Sequence, residues 1–343
     1  MLSIQVSRIL IFALTFLPSL ISAKRGGGGS GGGGSFGDGD SNFSLEPLDA
    51  ATFAFIVIFA VITAIQALIA LSNIRRRINK VPPSIATLEY SVGPIFPICL
   101  LMTTLLLTTS YGLYATYVGR TYNTSTFEDV WWSVSFMVAQ NVIVFLADIF
   151  LASSILALLS YREKIVLNTP GWIRDVKAIA DAILVVILLA LSMGFVGLGA
   201  AYVTDLDPAE AEAETLNKLS MAYCSFLFVA AVDIAVTSTM LYVRARKSSQ
   251  VNDHSIIRRC AFIISPLYMV YTLFLLIFQA RAEQINIQGE EVVKQWDLAS
   301  VIIGCITEAI VINACLGCGM PPLSKENKEV KEHVHSEKVI QAV

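Results

Sequence analysis

The sequence predicts an all-α polytopic membrane protein, a seven-transmembrane-helix bundle with its N-terminus outside and its C-terminus in the cytosol. Hydrophobic residues make up 55% of the 343 positions and charged residues only 15%, whereas soluble domains have roughly 45–50% and about 25%. The apolar residues gather in seven runs, each long enough to cross about 30 Å of hydrocarbon. Basic residues are concentrated in alternate links between these runs.

The first 50 residues precede the predicted bundle. Residues 1–23 contain the apolar run ILIFALTFLPSLIS and end in ISA, which is typical of a secretory signal peptide cleaved after Ala23. An uncleaved anchor, which would add an eighth helix, is the alternative. Residues 24–50 begin with Lys24 and Arg25, a pair typical of processing sites in the eukaryotic secretory pathway. They continue with GGGGSGGGGS, which predicts a flexible extracellular coil.

Seven spans follow, and together they define a transmembrane domain at 51–320. They lie at 51–72, 93–117, 131–159, 177–203, 217–243, 258–281 and 297–317. The tail at 321–343 mixes charges of both signs, which predicts a disordered cytosolic segment.

Three local features of the spans predict packing and depth. Pro266 lies inside the sixth span, where its ring removes a backbone hydrogen bond and predicts a kink. Gly194, Gly197 and Gly199 in GFVGLGAA predict a close approach of the fourth helix to a neighbour. Six aromatic residues near the outer ends of the spans predict an interfacial belt: Tyr111, Tyr114, Tyr117, Trp131, Trp132 and Trp296.

The distribution of basic residues predicts the orientation of the bundle. The links after the first, third and fifth spans carry Arg75, Arg76, Arg77, Lys80, Arg162, Lys164, Arg174, Lys177, Arg244, Arg246, Lys247, Arg258 and Arg259. Past residue 25, the opposite side carries only Arg120, Lys218, Arg281 and Lys294. The positive-inside rule therefore places the tail in the cytosol. Glycosylation sequons at Asn42 and Asn123 then fall on the outer side, in agreement with the signal peptide.

The odd helix count and this orientation resemble the topology of seven-transmembrane receptors. The third span ends in SYREK, where Arg162 beside Glu163 resembles the acidic-Arg-aromatic signature of rhodopsin-like receptors in a different order. The seventh span ends in INACLGCG, where that family has Asn-Pro-x-x-Tyr. It also contains no lysine for a Schiff base, so no retinal is expected. The resemblance implies a receptor topology and transfers no site residues.

Three carboxylates in the middle of spans are the candidate ligand or proton sites. Asp148 in FLADIFLASS lies in the third span, Asp233 in the fifth and Glu308 in the seventh, and no Lys or Arg is expected at similar depth. Because a charge in hydrocarbon costs at least ~2.5 kcal/mol, such residues face the bundle interior or a wet cavity. Asn141 precedes Asp148 by seven residues, on the same helical face, and is a further candidate.

Two interpretations of these carboxylates stay open. In the first, each carboxyl hydrogen-bonds to a neighbouring helix and contributes on the order of 0.6 kcal/mol to packing. In the second, two or three of them converge on one cavity and form a cation site, a proton relay or an acid catalyst.

The cysteines predict neither a disulfide framework nor a metal site. All six lie within the spans or at their cytosolic edge, away from the oxidising side of the membrane. Cys315 and Cys318, in CLGC at the end of the seventh span, are candidates for palmitoylation. One C-x-x-C pair is too little for zinc, and the sequence predicts no metal and no cofactor.

Three functions fit these features. The favoured one is a receptor-like protein of the plasma membrane that senses an extracellular or membrane-embedded ligand and contacts a cytosolic signalling protein through its basic loops. A proton-coupled transporter would use Asp148, Asp233 and Glu308. A membrane-embedded enzyme would use a buried carboxyl as general acid, by analogy with integral-membrane terpenoid cyclases. The lipid bilayer is a partner in each case, an endomembrane is an alternative location, and the absence of a basic patch excludes nucleic acid.

Overall fold

The computed structural model describes residues 47–78, 92–121, 128–166, 171–204, 210–247, 255–286 and 290–319. In these ranges the chain forms helices and no strand. The helices are α1 (Pro47–Ile78), α2 (Ile95–Thr121), α3 (Glu128–Val166), α4 (Gly171–Thr204), α5 (Glu210–Lys247), α6 (Ser255–Arg259, a π-helical turn at Cys260–Ile264, and Ser265–Asn286) and α7 (Glu290–Gly319).

Seven helices of the described chain are long and apolar enough to cross a membrane, so the predicted all-helical, seven-span architecture is confirmed. Most helices extend beyond the predicted spans, because polar residues that flank an apolar run continue the helix into the interface. The signal peptide, both sequons and the tail lie outside the described residues. They remain predictions, as does the orientation of the termini.

The helices form a closed ring in chain order, with α7 packed against α1, and α3 also contacts α5 across the ring. In α3, 56% of the most apolar stretch is buried, against 11% in α4. The buried stripe of α3 contains Leu151, Ala152, Ile155, Leu158 and Leu159, which recur at the spacing of one helix face. Helix α3 is therefore central, and α4 is the most peripheral of the seven.

The irregularity that Pro266 predicts takes the form of a π-helical turn on its N-terminal side. At the end of this turn the Ser265 backbone N–H donates to the Cys260 carbonyl oxygen, five residues earlier. The wider turn accommodates a proline ring that would otherwise clash with the carbonyl four residues before it. Hydroxyl groups of Ser265 and Ser238 are 2.7 Å apart, which joins α6 to α5 beside the turn.

The predicted glycine packing of α4 is found at one of the three glycines. A Cβ atom added at Gly194 would lie 3.0 Å from the Leu219 Cδ2 atom of α5. The space around Gly197 is open within 4 Å, and at Gly199 the nearest side-chain atom would be 3.9 Å away. Of the three glycines, Gly194 is therefore the one at which a side chain would crowd α5.

Replacement of Ile155 by alanine should destabilise the bundle by about 2–5 kcal/mol, because it leaves a cavity in the central helix. The matched control is Ile183→Ala on α4, since Ile155 is 0% exposed and Ile183 is 54% exposed on the outer surface. Acyl chains can fill the space at that surface, so the control should change stability by less than about 1 kcal/mol. Unfolding of both variants in nanodiscs measures the difference. Equal losses would contradict the central position of α3.

Candidate functional site

Asp148 is buried in the central helix and interacts with tyrosines of two other helices. Its side chain is 2% exposed. The Tyr271 hydroxyl of α6 donates a 2.8 Å hydrogen bond to Asp148 Oδ1. The Tyr223 hydroxyl of α5 donates a 3.4 Å hydrogen bond to the Phe145 carbonyl oxygen and interacts electrostatically with the Asp148 carboxyl. The Tyr223 ring packs edge-on against Phe145, one turn before Asp148, with ring centroids 4.6 Å apart.

Glu308 of α7 is a second buried carboxyl in the same region. It is 5% exposed, and the Tyr111 hydroxyl of α2 donates a 2.9 Å hydrogen bond to its Oε2 atom. Glu308 and Asp148 are close enough to interact electrostatically, and the Tyr268 hydroxyl of α6 interacts with both. On the basis of this interaction, the two carboxyls are assigned to one candidate site.

We refer to this site as the acid–tyrosine cluster, and its members are Asp148, Glu308, Tyr111, Tyr223, Tyr268 and Tyr271. They come from α2, α3, α5, α6 and α7. Helical spacing explains part of the arrangement, because Tyr268 and Tyr271 are three residues apart and share one face of α6. Within the described ranges, no Lys or Arg side chain interacts with either carboxyl of the cluster.

Three buried oxygen atoms at the cluster or beside it have no hydrogen-bond partner within the described part of the chain. They are Glu308 Oε1, the Tyr268 hydroxyl and Gln66 Oε1. Gln66 of α1 lies beside the cluster. Its Nε2 atom donates a 2.9 Å hydrogen bond to the carbonyl oxygen of Ala309 in α7, the residue that follows Glu308. An unpaired buried polar atom is costly, so these atoms mark the part of the cluster that is available to a ligand.

Asp233, the third predicted carboxylate, lies apart from the cluster. Its Oδ2 atom forms a 3.0 Å ion pair with Lys177 Nζ of α4, which is also 3.3 Å from Asp181 Oδ1. The expectation that no Lys or Arg lies at the depth of Asp233 is therefore wrong. Helix α4 begins at Gly171 and includes Lys177, whose flexible stem reaches the neighbouring helix. On the same helix, the Thr237 hydroxyl donates a 3.5 Å hydrogen bond to Asp233 Oδ1.

The other predicted site residues differ in their placement. Asn141 is half-buried on α3, two turns from Asp148. Cys315 and Cys318 are 0% and 2% exposed, so acylation of either thiol requires the end of α7 to open, and the palmitoylation prediction is untested. Asn42 and Asn123 lie outside the described residues.

Sequence reasoning missed the tyrosines of the cluster. The assignment of Tyr111 to the outer aromatic belt is wrong in one respect, because its hydroxyl binds Glu308. Tyr268 and Tyr271 carry a signal that was available, since both lie well inside an apolar run, where a hydroxyl needs a polar partner. Trp296 stacks on Phe278 with ring centroids 5.4 Å apart.

The chemistry of the cluster is hydrogen bonding and attraction of positive charge. Tyrosine hydroxyls donate to the carboxyls, and the unpartnered oxygens can accept from a ligand or coordinate a cation. No metal-binding group of three His, Cys, Asp or Glu side chains occurs in the part of the chain that the structure describes. No protein-family model matches this sequence, and no curated protein sequence is significantly similar to it.

Replacement of Tyr271 by phenylalanine should lower stability by about 1 kcal/mol, because it removes the donor to Asp148. Tyr268→Phe is the matched control, since this hydroxyl lacks a described protein partner and lies three residues away on the same helix. Unfolding of both variants is measured in nanodiscs. A Tyr268→Phe variant as unstable as Tyr271→Phe would contradict this assignment.

Proposed function

We propose that this protein is a receptor-like seven-helix membrane protein in which the acid–tyrosine cluster receives an extracellular or membrane-embedded ligand. The observation that carries the proposal is the convergence of Asp148 and Glu308, from α3 and α7, on tyrosines of three further helices. An occupant of this site that binds one arrangement of the helices better than another shifts the population toward that arrangement. Binding of a ligand in the cluster would thus affect the packing of five helices together.

A route from the cluster to the predicted cytosolic side runs along α6. Tyr268 and Tyr271 belong to the cluster, and the π-helical turn at Cys260–Ile264 lies one to two turns before them. π-helical turns occur frequently at functional sites. Beyond this turn, Arg259 Nη1 donates a 2.9 Å hydrogen bond to the Gly317 carbonyl oxygen of α7. A movement of Tyr271 would therefore displace the N-terminal end of α6, which is hydrogen-bonded to α7 through Arg259.

Basic residues at the predicted cytosolic ends suit a signalling partner with an acidic surface. Helix α5 ends with Arg244, Arg246 and Lys247 in its last turn. The first turn of α6 adds Arg258 and Arg259. Attraction between such a surface and an acidic partner raises the rate of encounter.

A proton-coupled carrier is the second candidate, and one observation favours it. Asp148 and Glu308 interact electrostatically without a fixed cation among the described residues around them, as a proton relay requires. The separate ion pair of Asp233 with Lys177 removes the third acid that this hypothesis used. The membrane-embedded enzyme, in which one of these carboxyls is a general acid, has no described feature of its own beyond the buried acids.

The receptor proposal predicts that the cluster and the basic helix ends act in one pathway. A strain that lacks the protein is complemented with the natural chain, with Glu308→Gln, or with α5 carrying Arg244→Glu, Arg246→Glu and Lys247→Glu. Both variants should reproduce the transcript profile of the deletion at equal membrane abundance, because one blocks reception and the other blocks coupling.

The matched control exchanges the charges of the exposed ion pair Glu214–Lys218, whose atoms are 2.7 Å apart at the other end of α5. It should retain the natural profile. A normal profile from the α5 charge reversal would overturn the receptor proposal. If Glu308→Gln then abolished proton flux in proteoliposomes, the carrier would replace it.

A further inference from the structure

An ionic group on the outer surface of the bundle lies apart from the acid–tyrosine cluster. It consists of Lys177 and Asp181 of α4 and Asp233 of α5, and we call it the α4–α5 ionic triad. Lys177 Nζ lies 3.3 Å from Asp181 Oδ1 and 3.0 Å from Asp233 Oδ2. The three charged groups are therefore in direct contact.

The triad opens toward the lipid side of the bundle. The Asp233 side chain is 38% exposed, and α4 is the most peripheral helix. Because bulk water is absent from the hydrocarbon, a carboxylate open on this side needs a polar partner that comes from the membrane. The exposed residues next to the triad along both helices are aliphatic: Val176, Ile179, Ile183, Val229, Val232 and Val236.

Trp172 at the start of α4 indicates the depth of the triad. Its side chain is 69% exposed, and tryptophan on the outer surface of a span is typical of the membrane interface. Lys177 follows it by five residues, about 8 Å along the helix axis. The triad therefore lies just inside the hydrocarbon edge, where the first carbon atoms of lipid chains are found.

The charges of the triad do not balance. Lys177 supplies one positive charge for two carboxylates, and Glu163 of α3 adds negative potential, since it interacts electrostatically with Asp181. Among the described residues, Lys177 is the cation that acts on Asp181. Asp181 Oδ2 is buried and has no hydrogen-bond partner in this part of the chain. The triad is thus suited to one more positive charge that is carried by a hydrogen-bond donor.

The excess negative charge and the lipid-facing position together select the chemistry of an occupant. A phospholipid headgroup would bring a phosphate, which the excess negative charge repels. A primary amine attached directly to a long alkyl chain brings one positive charge and several N–H donors to the hydrocarbon edge. Its chain would lie against the aliphatic residues on both sides of the triad.

We propose that the α4–α5 ionic triad binds the ammonium group of a long-chain lipid amine that carries no phosphate. The Asp181 and Asp233 carboxylates accept from the ammonium, while Lys177 holds the two acids together. The site faces lipid rather than the bundle interior, and the inference holds whether or not the protein acts as a receptor.

The test is photo-crosslinking of the full-length protein in phosphatidylcholine nanodiscs with octadecylamine that carries a diazirine in its chain. Saturable labelling of α4 and α5 peptides is expected, with displacement by unlabelled octadecylamine and not by the neutral octadecanol or by phosphatidylethanolamine. Asp233→Asn and Asp181→Asn should each weaken the affinity by about tenfold, because either one leaves the triad without excess charge. Lys177→Met should strengthen it, because both carboxylates then face the amine.

Asp175→Asn is the matched control, since it neutralises an exposed acid on the same helix that lies 3.8 Å from Arg174. It should be labelled as the natural chain is. The direction of the Lys177→Met effect separates binding from support of the fold, because a purely structural triad would lose labelling in all three variants.

Four results would overturn the proposal. They are an unlabelled natural chain, as expected if a cationic side chain of another membrane protein occupies the triad instead, equal displacement by octadecanol or phosphatidylethanolamine, unchanged affinity in both aspartate variants, and weakened labelling of a folded Lys177→Met variant. The last result stays informative even if the aspartate variants do not fold. Labelling needs no signalling readout, so its failure and the failure of the receptor proposal are separate results.

Discussion

The burial of two carboxyl groups in an apolar bundle is the constraint on which the arrangement of the helices depends. Water is not available at this depth to solvate Asp148 and Glu308, so neighbouring helices must supply the hydrogen-bond donors. Tyrosine suits this task because its ring packs like any apolar side chain while its hydroxyl reaches a polar partner. The donors Tyr111 and Tyr271 bring α2 and α6 to the acids of α7 and α3. Hydrogen bonding thus fixes which faces of these helices turn inward.

A polar cluster inside an apolar bundle fixes the rotation of its helices and can also change its charge. Apolar contacts between helices resemble contacts with lipid tails, so they favour packing without selecting one rotation of a helix strongly. The directional bonds of the acid–tyrosine cluster do select one. A change in charge at Glu308 or Asp148 therefore acts on the contacts that distinguish one helix arrangement from another. The receptor and the carrier hypotheses both rely on this property.

The sequence predicts the number of helices and the two central acids, because both follow from the order of residues along the chain. A long apolar run predicts a span, and a carboxyl in the middle of a run is expected to face inward, as Asp148 and Glu308 do; Asp233 is the exception, because Lys177 pairs with it. The rotation of each helix was not predictable, since these helices are apolar on nearly every face and give no strong period. The role of Tyr111 was missed for this reason. The Lys177–Asp233 pair was missed because it depends on the reach of a long side chain between two helices.

The Lys177–Asp233 ion pair and Gly194 limit which residues of α4 can be exchanged during evolution. Few residues of α4 are buried, so most of its outward positions can exchange one aliphatic residue for another and leave the bundle unchanged. Lys177 and Gly194 are exceptions, because one holds α4 to α5 through Asp233 and the other allows the two helices to approach. In distant homologues, the lysine at position 177 and the glycine at position 194 would thus be the recognisable features of the fourth helix. The aliphatic residues between them would vary.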